Sequence, residues 1–150
     1  EISFYDPYPP LDEIIKKFSA KKFDTLEEVL RDSDFITLHC PGGGSNTNLM
    51  NKDRFALMKE SAFLINTARG DVVDEAALVQ ALKDDVIAGA GLDVYAKEPT
   101  VTEELLSMNN VVLIPHLGSA TTETRVAMGL RSLANVKAFF DGKEPGDRVA

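Results

Sequence analysis

The sequence has a single cysteine, Cys40, among its 150 residues. One thiol cannot form an internal disulfide or supply a pair of thiolates to zinc, so disulfide-stapled and cysteine-rich zinc folds are excluded. Basic residues are also few, with 16 Lys and Arg against 24 Asp and Glu, a net charge of −8. An acidic chain without Lys/Arg clusters is repelled by phosphate backbones and anionic lipids, which argues against nucleic acid and membrane partners.

Long apolar runs are missing as well. No segment approaches the ~20 apolar residues that cross a bilayer, and no basic-then-apolar leader opens the chain, which predicts a cytoplasmic protein. The glycine run at 42–44 lacks the spacing and the following lysine of a phosphate-binding loop. A length of this order fits about one domain. A strand at the very first residues, as expected at 2–5, is typical of a fragment of a longer chain.

Short apolar runs alternate with helical patterns along the whole chain. Strands are predicted at 2–5, 35–38, 62–65, 86–92 and 111–114, and the main helices at 11–18, after Thr25, after Asp74, and from Thr121 to about Phe140. The strand runs are continuously apolar, which is typical of strands buried on both faces of a parallel sheet. With right-handed crossovers, this pattern predicts an α/β fold with a doubly wound parallel sheet.

Polar residues follow the predicted strands at the edge where ligands bind in such sheets, outside the carboxyl ends. Each has a plainer interpretation of its own, as a turn former, a solvated loop charge or a hydrogen-bonded loop histidine. Their shared place at one edge favours a functional site. The residues are Asp6, Pro41, Arg69, Asp93, Glu98 and His116.

Three segments carry a resemblance to a known family. Residues 66–78, NTARGDVVDEAAL, resemble the arginine segment of the D-isomer-specific 2-hydroxyacid dehydrogenases. Residues 90–99, AGLDVYAKEP, resemble their glutamate segment, and residues 115–121, PHLGSAT, their histidine segment. The segments come in the family's order and the resemblance covers essentially the whole chain. It implies a Rossmann-like sheet that binds a dinucleotide.

The resemblance implies three catalytic residues. Arg69 would bind the carboxylate and keto oxygen of a 2-keto acid, His116 would be the acid/base, and Glu98 its partner. The chemistry agrees, because a planar guanidinium forks onto a carboxylate and its neighbouring carbonyl. Hydride transfer puts negative charge on the carbonyl oxygen, which Arg69 stabilises and protonated His116 neutralises. A carboxylate at Glu98 favours the protonated imidazolium.

The resemblance also implies NAD as the cofactor and no metal. Asp6 matches the acid that holds the adenosine ribose, and its charge would repel the 2′-phosphate of NADP. Asp93 would meet the nicotinamide carboxamide. Cys40, which ends a strand, has a packing role as its plainer interpretation. The remaining cofactor positions are Cys40, Pro41, Thr67, Ala68, Arg69, His116, Gly118 and Ser119.

One departure from the family is clear, since the sequence contains no G-x-G-x-x-G turn. The predicted organisation is therefore a dinucleotide-binding domain at 1–120 that lacks its first strand and glycine-rich turn. A long helix and tail at 121–150 would return towards a substrate domain that is mostly absent. The resemblance further implies a homodimer formed through the nucleotide domain, with the long helix near the interface.

The leading functional hypothesis is NAD-dependent reduction of glyoxylate or hydroxypyruvate to the D-2-hydroxy acid. Residues 118–125 and 142–145 look most like that branch of the family. D-3-phosphoglycerate and D-lactate dehydrogenases share the same three catalytic residues and stay open as alternatives. Formate dehydrogenases typically have Gln where this chain has Glu98. A hypothesis of a different class is a dinucleotide-sensing corepressor that binds protein partners.

Overall fold

The computed structural model describes residues 1–149, which form two compact units, Glu1–Pro115 and a second that begins at His116. The strands are β1 Ser3–Phe4, β2 Lys21–Lys22, β3 Phe35–Leu38, β4 Phe63–Asn66, β5 Gly89–Leu92 and β6 Val111–Leu113. The helices are α1 Asp12–Lys17, α2 Leu26–Asp32, α3 Lys52–Phe55, α4 Glu75–Lys83, α5 Glu103–Leu106 and α6 Thr122–Phe140. The alternation of strands and helices confirms the α/β fold class.

The strands of the first unit pair in parallel throughout. β3, β4, β5 and β6 form a four-stranded sheet in chain order, and β1 pairs with β2 in a separate two-stranded sheet. The register aligns Leu38 with Asn66, Asn66 with Leu92, and Leu92 with Leu113. Four carboxyl ends therefore lie in line at one edge of the larger sheet.

The strands of this doubly wound fold are divided between two sheets. In a doubly wound sheet of order 3-2-1-4-5-6, the first strand lies between the two halves. By this order, β1 and β2 correspond to the second and third strands, and β3 corresponds to the fourth strand, which begins the second half of the sheet. No strand among residues 1–149 takes the central place, so the two halves share no backbone pairing.

The expectation of strands buried on both faces is wrong. Ile36, Leu38 and Leu64 are buried on one face of the four-stranded sheet, and the helices add Leu30, Phe55, Leu78 and Leu105 to that core. On the other face, Phe35 is 70% exposed and Phe63 37% exposed, with their rings stacked at 5.4 Å. The cause is topological, because right-handed crossovers from β3 to β6 put their helices on the same side.

Several boundaries also differ from the pattern. β1 is shorter than predicted and half-buried, and Ile2 and Tyr5 beside it are exposed. The start of the strand predicted at 86–92 instead closes α4, where the Val86 N–H donates to the carbonyl of Ala81 at 2.9 Å. β2, α3 and α5 have no counterpart in the prediction, because two to four residues are too few for a periodic signal.

The helix starts agree with their sequence signals. Thr25 and Glu28 form the capping box of α2, which also lowers the pKa of Glu28 through the hydrogen bonds from Thr25. The Asp74 side chain accepts the Ala77 N–H at 3.1 Å and begins α4. Thr121 accepts the Thr124 N–H at 3.2 Å and begins α6.

The second unit begins at His116 and contains α6 and the tail that follows it. The Asp147 carboxylate accepts a hydrogen bond from Arg131 Nη2 and another from Asn135 Nδ2, both at 2.6 Å. These contacts, with Arg131 the larger, lower the pKa of Asp147 to about 2. The tail is thus attached to α6 by a charged fork. No helix within residues 1–149 is long and apolar enough to cross a membrane.

Candidate active site

Asn66, the last residue of β4, builds the turn that carries Arg69. Its amide side chain is 1% exposed, accepts the Ala68 N–H at 3.1 Å and donates to the Arg69 carbonyl at 2.9 Å. The backbone at 67–69 is therefore fixed from a buried position, because breaking either bond would leave a buried amide group unpaired. Thr67, Ala68 and Arg69 consequently lie at the carboxyl edge of the sheet.

The Arg69 side chain is exposed at this edge. Its Nη1 donates to the carbonyl of Ala68 at 2.7 Å. Among residues 1–149, no carboxylate forms an ion pair with its guanidinium. An arginine with most of its five donors uncommitted is suited to receive a carboxylate through two parallel hydrogen bonds.

Gly70 brings the loop after β4 against the loop after β5. A Cβ at this position would lie 1.9 Å from the carbonyl carbon of Tyr95 and 2.0 Å from its oxygen. The obstacle is backbone, which cannot swing aside as a flexible side chain could. Only glycine permits this approach, so the loop at 67–70, called here the arginine loop, is in direct contact with the loop after β5 that carries Glu98.

Tyr95 extends the same contact to the end of β6. The side chain is 7% exposed, and its hydroxyl donates to the Ile114 carbonyl at 2.9 Å. Burial raises the pKa of Tyr95, and the negative charge of Asp93 adds to the effect. The phenol is therefore a permanent donor that holds the ends of β5 and β6 together.

Asp93 and Glu98 lie on the segment that follows β5. Asp93 is 5% exposed, and its backbone N–H donates to the Asn66 carbonyl at 3.0 Å. Glu98 is exposed, and its Oε1 accepts the Tyr95 N–H at 3.1 Å. Both acids thus lie at the edge that carries Arg69, as the sequence predicts from the strand ends.

The loop after β3 joins the edge through Asp71, a residue that sequence reasoning missed. Asp71 Oδ2 accepts the Gly43 N–H at 2.7 Å, and Asn46 donates to the Pro41 carbonyl at 3.0 Å. Burial raises the pKa of the Cys40 thiol, and the charges of Asp71 and Asp6 raise it further. The thiol therefore stays protonated at neutral pH. No local signal identifies Asp71, because its partner is distant in sequence.

Asp6 has a structural use at its predicted position. It is exposed and follows β1, and its Oδ1 accepts the Tyr8 N–H at 2.7 Å. This bond makes a turn of the kind that aspartate commonly forms. The turn occupies one carboxylate oxygen, and the side chain keeps its negative charge at the end of the strand.

His116, Gly118 and Ser119 belong to the second unit, where the chain leaves β6 for α6. His116 is exposed and has a φ of 53°, in the left-handed region that histidine enters more readily than most residues. The pairing of His116 with Glu98 stays a prediction, as do the roles of Gly118 and Ser119.

The donor set of the first unit fits part of a nicotinamide dinucleotide. Asp93 offers a buried acceptor for a carboxamide, and Asp6 offers an exposed one for a ribose hydroxyl. Arg69 supplies an exposed cation at the end of β4. The pyrophosphate would need the glycine-rich turn that this sequence does not contain. The fit therefore concerns the nicotinamide and ribose groups.

Comparison with known proteins decides the family. Residues 1–118 match the family model described as D-isomer specific 2-hydroxyacid dehydrogenase, NAD binding domain. The chain belongs to this family. The family that the three sequence segments predict is therefore confirmed. The NAD-binding domain has the expected Rossmann-like fold.

Individual family members are similar over most of the chain. Glyoxylate reductase from Pyrococcus furiosus is 50% identical over 130 residues, which cover 87% of this chain and 39% of the relative. The crystal structure of an NADPH-dependent glyoxylate/hydroxypyruvate reductase from Sinorhizobium meliloti, in complex with NADP and malonate, superposes with a TM-score of 0.86 at 39% identity, covering 93% of this chain and 42% of that one. D-lactate dehydrogenase with NAD+ from Lactobacillus jensenii gives a TM-score of 0.87 at 32% identity, covering 100% and 48%. This chain spans about two fifths of the length of the curated relatives that it matches.

Replacement of Gly70 by alanine tests the contact between the two loops. We expect Gly70→Ala to lower the free energy of unfolding by about 3 kcal/mol or more, because overpacking against backbone forces the loops apart. Gly129→Ala is the matched control, since a Cβ there meets no atom within 4 Å and alanine favours the helix α6. Urea denaturation measures both. A Gly70→Ala protein as stable as the control would contradict the close contact.

Proposed function

We propose that the intact protein to which this chain belongs reduces a small 2-keto acid, glyoxylate or hydroxypyruvate, to the D-2-hydroxy acid with NADH. The observation that carries the proposal is the exposed Arg69 guanidinium, which extends from a backbone fixed by Asn66 and has no carboxylate partner among residues 1–149. The names of the relatives support the same substrate class.

Arg69 has two tasks in this mechanism. Its guanidinium binds the substrate carboxylate and the adjacent keto oxygen through forked donors. When bound, the reduced nicotinamide supplies the hydride. As negative charge develops on the keto oxygen, the positive charge of the Arg69 guanidinium would stabilise it. The Asn66 bonds hold the backbone from which this side chain extends.

His116 and Glu98 provide the proton. In the proposed mechanism the imidazolium of His116 donates to the keto oxygen, and the Glu98 carboxylate stabilises the protonated ring. Asp93 accepts from the carboxamide and orients the ring that donates hydride. The Tyr95 N–H donates to Glu98 Oε1 and so holds the carboxylate that is proposed to meet the imidazole.

NAD rather than NADP is proposed as the cofactor, on the charge of Asp6. The remaining cofactor contacts are proposed at Cys40, Pro41, Thr67, Ala68, Gly118 and Ser119.

A homodimer formed through the nucleotide domain near α6 is proposed as the assembly, with the cytoplasm as its location. Light scattering on the intact protein would then report twice the monomer mass. D-lactate dehydrogenase activity is the second candidate, since that enzyme is among the structural neighbours.

The role of Arg69 is tested by its replacement with lysine. Arg69→Lys keeps the charge and loses the forked geometry, so kcat/KM for glyoxylate should fall on the order of 10²-fold or more in the intact protein. Arg31→Lys is the control, because Arg31 lies on α2 before β3 begins, at the opposite end of the strand. Near-normal turnover by Arg69→Lys in a stopped NADH-oxidation assay would remove Arg69 from the mechanism.

The role of Asp6 is tested by cofactor preference. We expect kcat/KM to be higher with NADH than with NADPH. Asp6→Asn keeps an oxygen for the Tyr8 N–H and removes the charge, so the preference should fall by about fivefold, since two charges ~4 Å apart in water interact by about 1 kcal/mol. Asp12→Asn, on α1, is the control. A wild-type preference for NADPH would contradict the proposed role of Asp6.

The role of Glu98 is tested by the pH dependence of the reaction. Glu98→Gln keeps an acceptor for the Tyr95 N–H and removes the charge that favours the imidazolium. The upper pH limit of keto-acid reduction should therefore move down by about 1–3 pH units, whereas oxidation of the hydroxy acid should survive better at low pH. Profiles of kcat/KM against pH in both directions measure this. A reduction limit that stays in place would rule out Glu98 as the partner charge.

A further inference from the structure

We propose that Glu75, a residue outside the predicted site, positions the Glu98 loop for the reaction. This inference rests on the proposed function, because it assigns Glu75 the task of holding the carboxylate that serves His116. Glu75 does not itself touch the substrate or the cofactor in this account. It is a positioning residue that acts through the segment 96–102, called here the glutamate loop.

The geometry joins both ends of the glutamate loop to a single side chain. Glu75 Oε1 accepts the Ala96 N–H at 2.7 Å, and Glu75 Oε2 accepts the hydroxyl of Thr102. Glu98 lies between these two attachment points. The Glu75 carboxylate therefore acts as a clip across the loop, with each oxygen committed to a different end.

In the glutamate loop, Val101 packs against the hydrophobic core, and the residues around Glu98 have no such packing. All residues from 96 to 100 are exposed, and within the loop the Thr100 N–H donates to the Lys97 carbonyl at 2.8 Å. Exposed segments with few buried contacts open at low free-energy cost. The position of Glu98 therefore depends on polar ties, and the clip supplies two of them, at Ala96 and at Thr102.

Glu75 also connects the glutamate loop to the arginine loop. It is the first residue of α4, directly after the cap Asp74, and α4 begins where the turn at Gly70–Val72 ends. The Asp74 N–H donates to the Met50 carbonyl at 2.9 Å, which anchors this helix start. A carboxylate at a helix N-terminus is also favoured by the helix dipole. The clip thus keeps Glu98 in a constant position relative to the backbone that carries Arg69.

A role of the Glu75 charge alone is the competing explanation. The charged groups that border the shallow cleft beside Glu75 are Asp74 and Lys97, so the local field has other contributors. Glutamine separates the two explanations. Its carbonyl oxygen can accept the Ala96 N–H, and its amide can donate to the Thr102 hydroxyl, which accepts as well as donates. Glu75→Gln therefore keeps the clip without the charge, and Glu75→Ala loses both.

The experiment measures kcat/KM against pH for keto-acid reduction by the intact protein. We expect Glu75→Ala to lower the upper pH limit, as Glu98→Gln does, by about half a pH unit or more. A mobile Glu98 carboxylate spends less time near the imidazole and so loses part of the shift of about 1–3 units that a fixed carboxylate causes in the pKa. Glu75→Gln should restore the limit. Thr102→Val, which removes one attachment and leaves α4 intact, should give an intermediate shift. Glu103→Ala, an exposed acid of α5, should leave the profile unchanged.

The outcomes separate the inference from the proposed function. If Glu98→Gln lowers the limit and both Glu75→Ala and Thr102→Val leave it in place, Glu75 does not position Glu98. If Glu75→Gln shifts the limit as far as Glu75→Ala, charge and not the clip is responsible, and the inference is overturned. If Glu98→Gln has no effect, the Glu98 role fails and this inference fails with it. Absence of keto-acid-dependent NADH oxidation in the wild type would overturn the proposed function itself.

Circular dichroism on each variant guards against a folding defect, and amide hydrogen exchange gives a readout that needs no substrate. The Ala96 N–H should exchange faster in Glu75→Ala than in Glu75→Gln, because only the glutamine keeps its acceptor. Equal exchange rates in a folded pair would also count against the clip. If Glu75→Ala does not fold, the Thr102→Val profile decides.

Discussion

The contact between Gly70 and the backbone of Tyr95 is the constraint on which the arrangement of the edge depends. With no Cβ in the way, the loop after β4 lies directly on the loop after β5. Arg69 precedes this contact and Glu98 follows it within a few residues. The buried Tyr95 ring carries the contact on to the end of β6 through the Ile114 carbonyl. The absence of a side chain at Gly70 and the hydroxyl of Tyr95 therefore keep three loops together.

The edge combines the Arg69 cation with polar side chains that hold its loops. Asn66 fixes the Arg69 turn from a buried position, Asp71 fixes the glycine loop after β3, and Glu75 fixes the glutamate loop. Asn66 pairs with backbone groups of its own turn, whereas Asp71 and Glu75 pair with a backbone N–H of another loop. Such bonds hold the loops in place without using the Arg69 guanidinium, whose remaining donors stay available for an anion.

Much of the fold was predictable because its signals are local. The capping box at Thr25 and Glu28, the cap at Asp74 and the apolar runs of β3, β4 and β6 depend on neighbouring residues only. The burial of those strands was not predictable in the same way. Phe35 and Phe63 belong to continuous apolar runs, yet they lie on the face that the helices of the first unit do not cover. Which face is covered depends on crossover direction, a property of the whole chain path.

The candidate site divides along the same line. Residue identity and order were sufficient for the family, and the position of Arg69, Asp93 and Glu98 after their strands followed from parallel pairing alone. The tertiary structure decided the ties that no local pattern announces: Gly70 against Tyr95, Asp71 to Gly43, and Glu75 to Ala96 and Thr102. Each joins residues that are 21 or more positions apart in sequence and become adjacent once the strand ends align. Sequence reasoning sees residue type and local period, whereas a hydrogen bond between loops exists only after the sheet has brought them within 3 Å of each other.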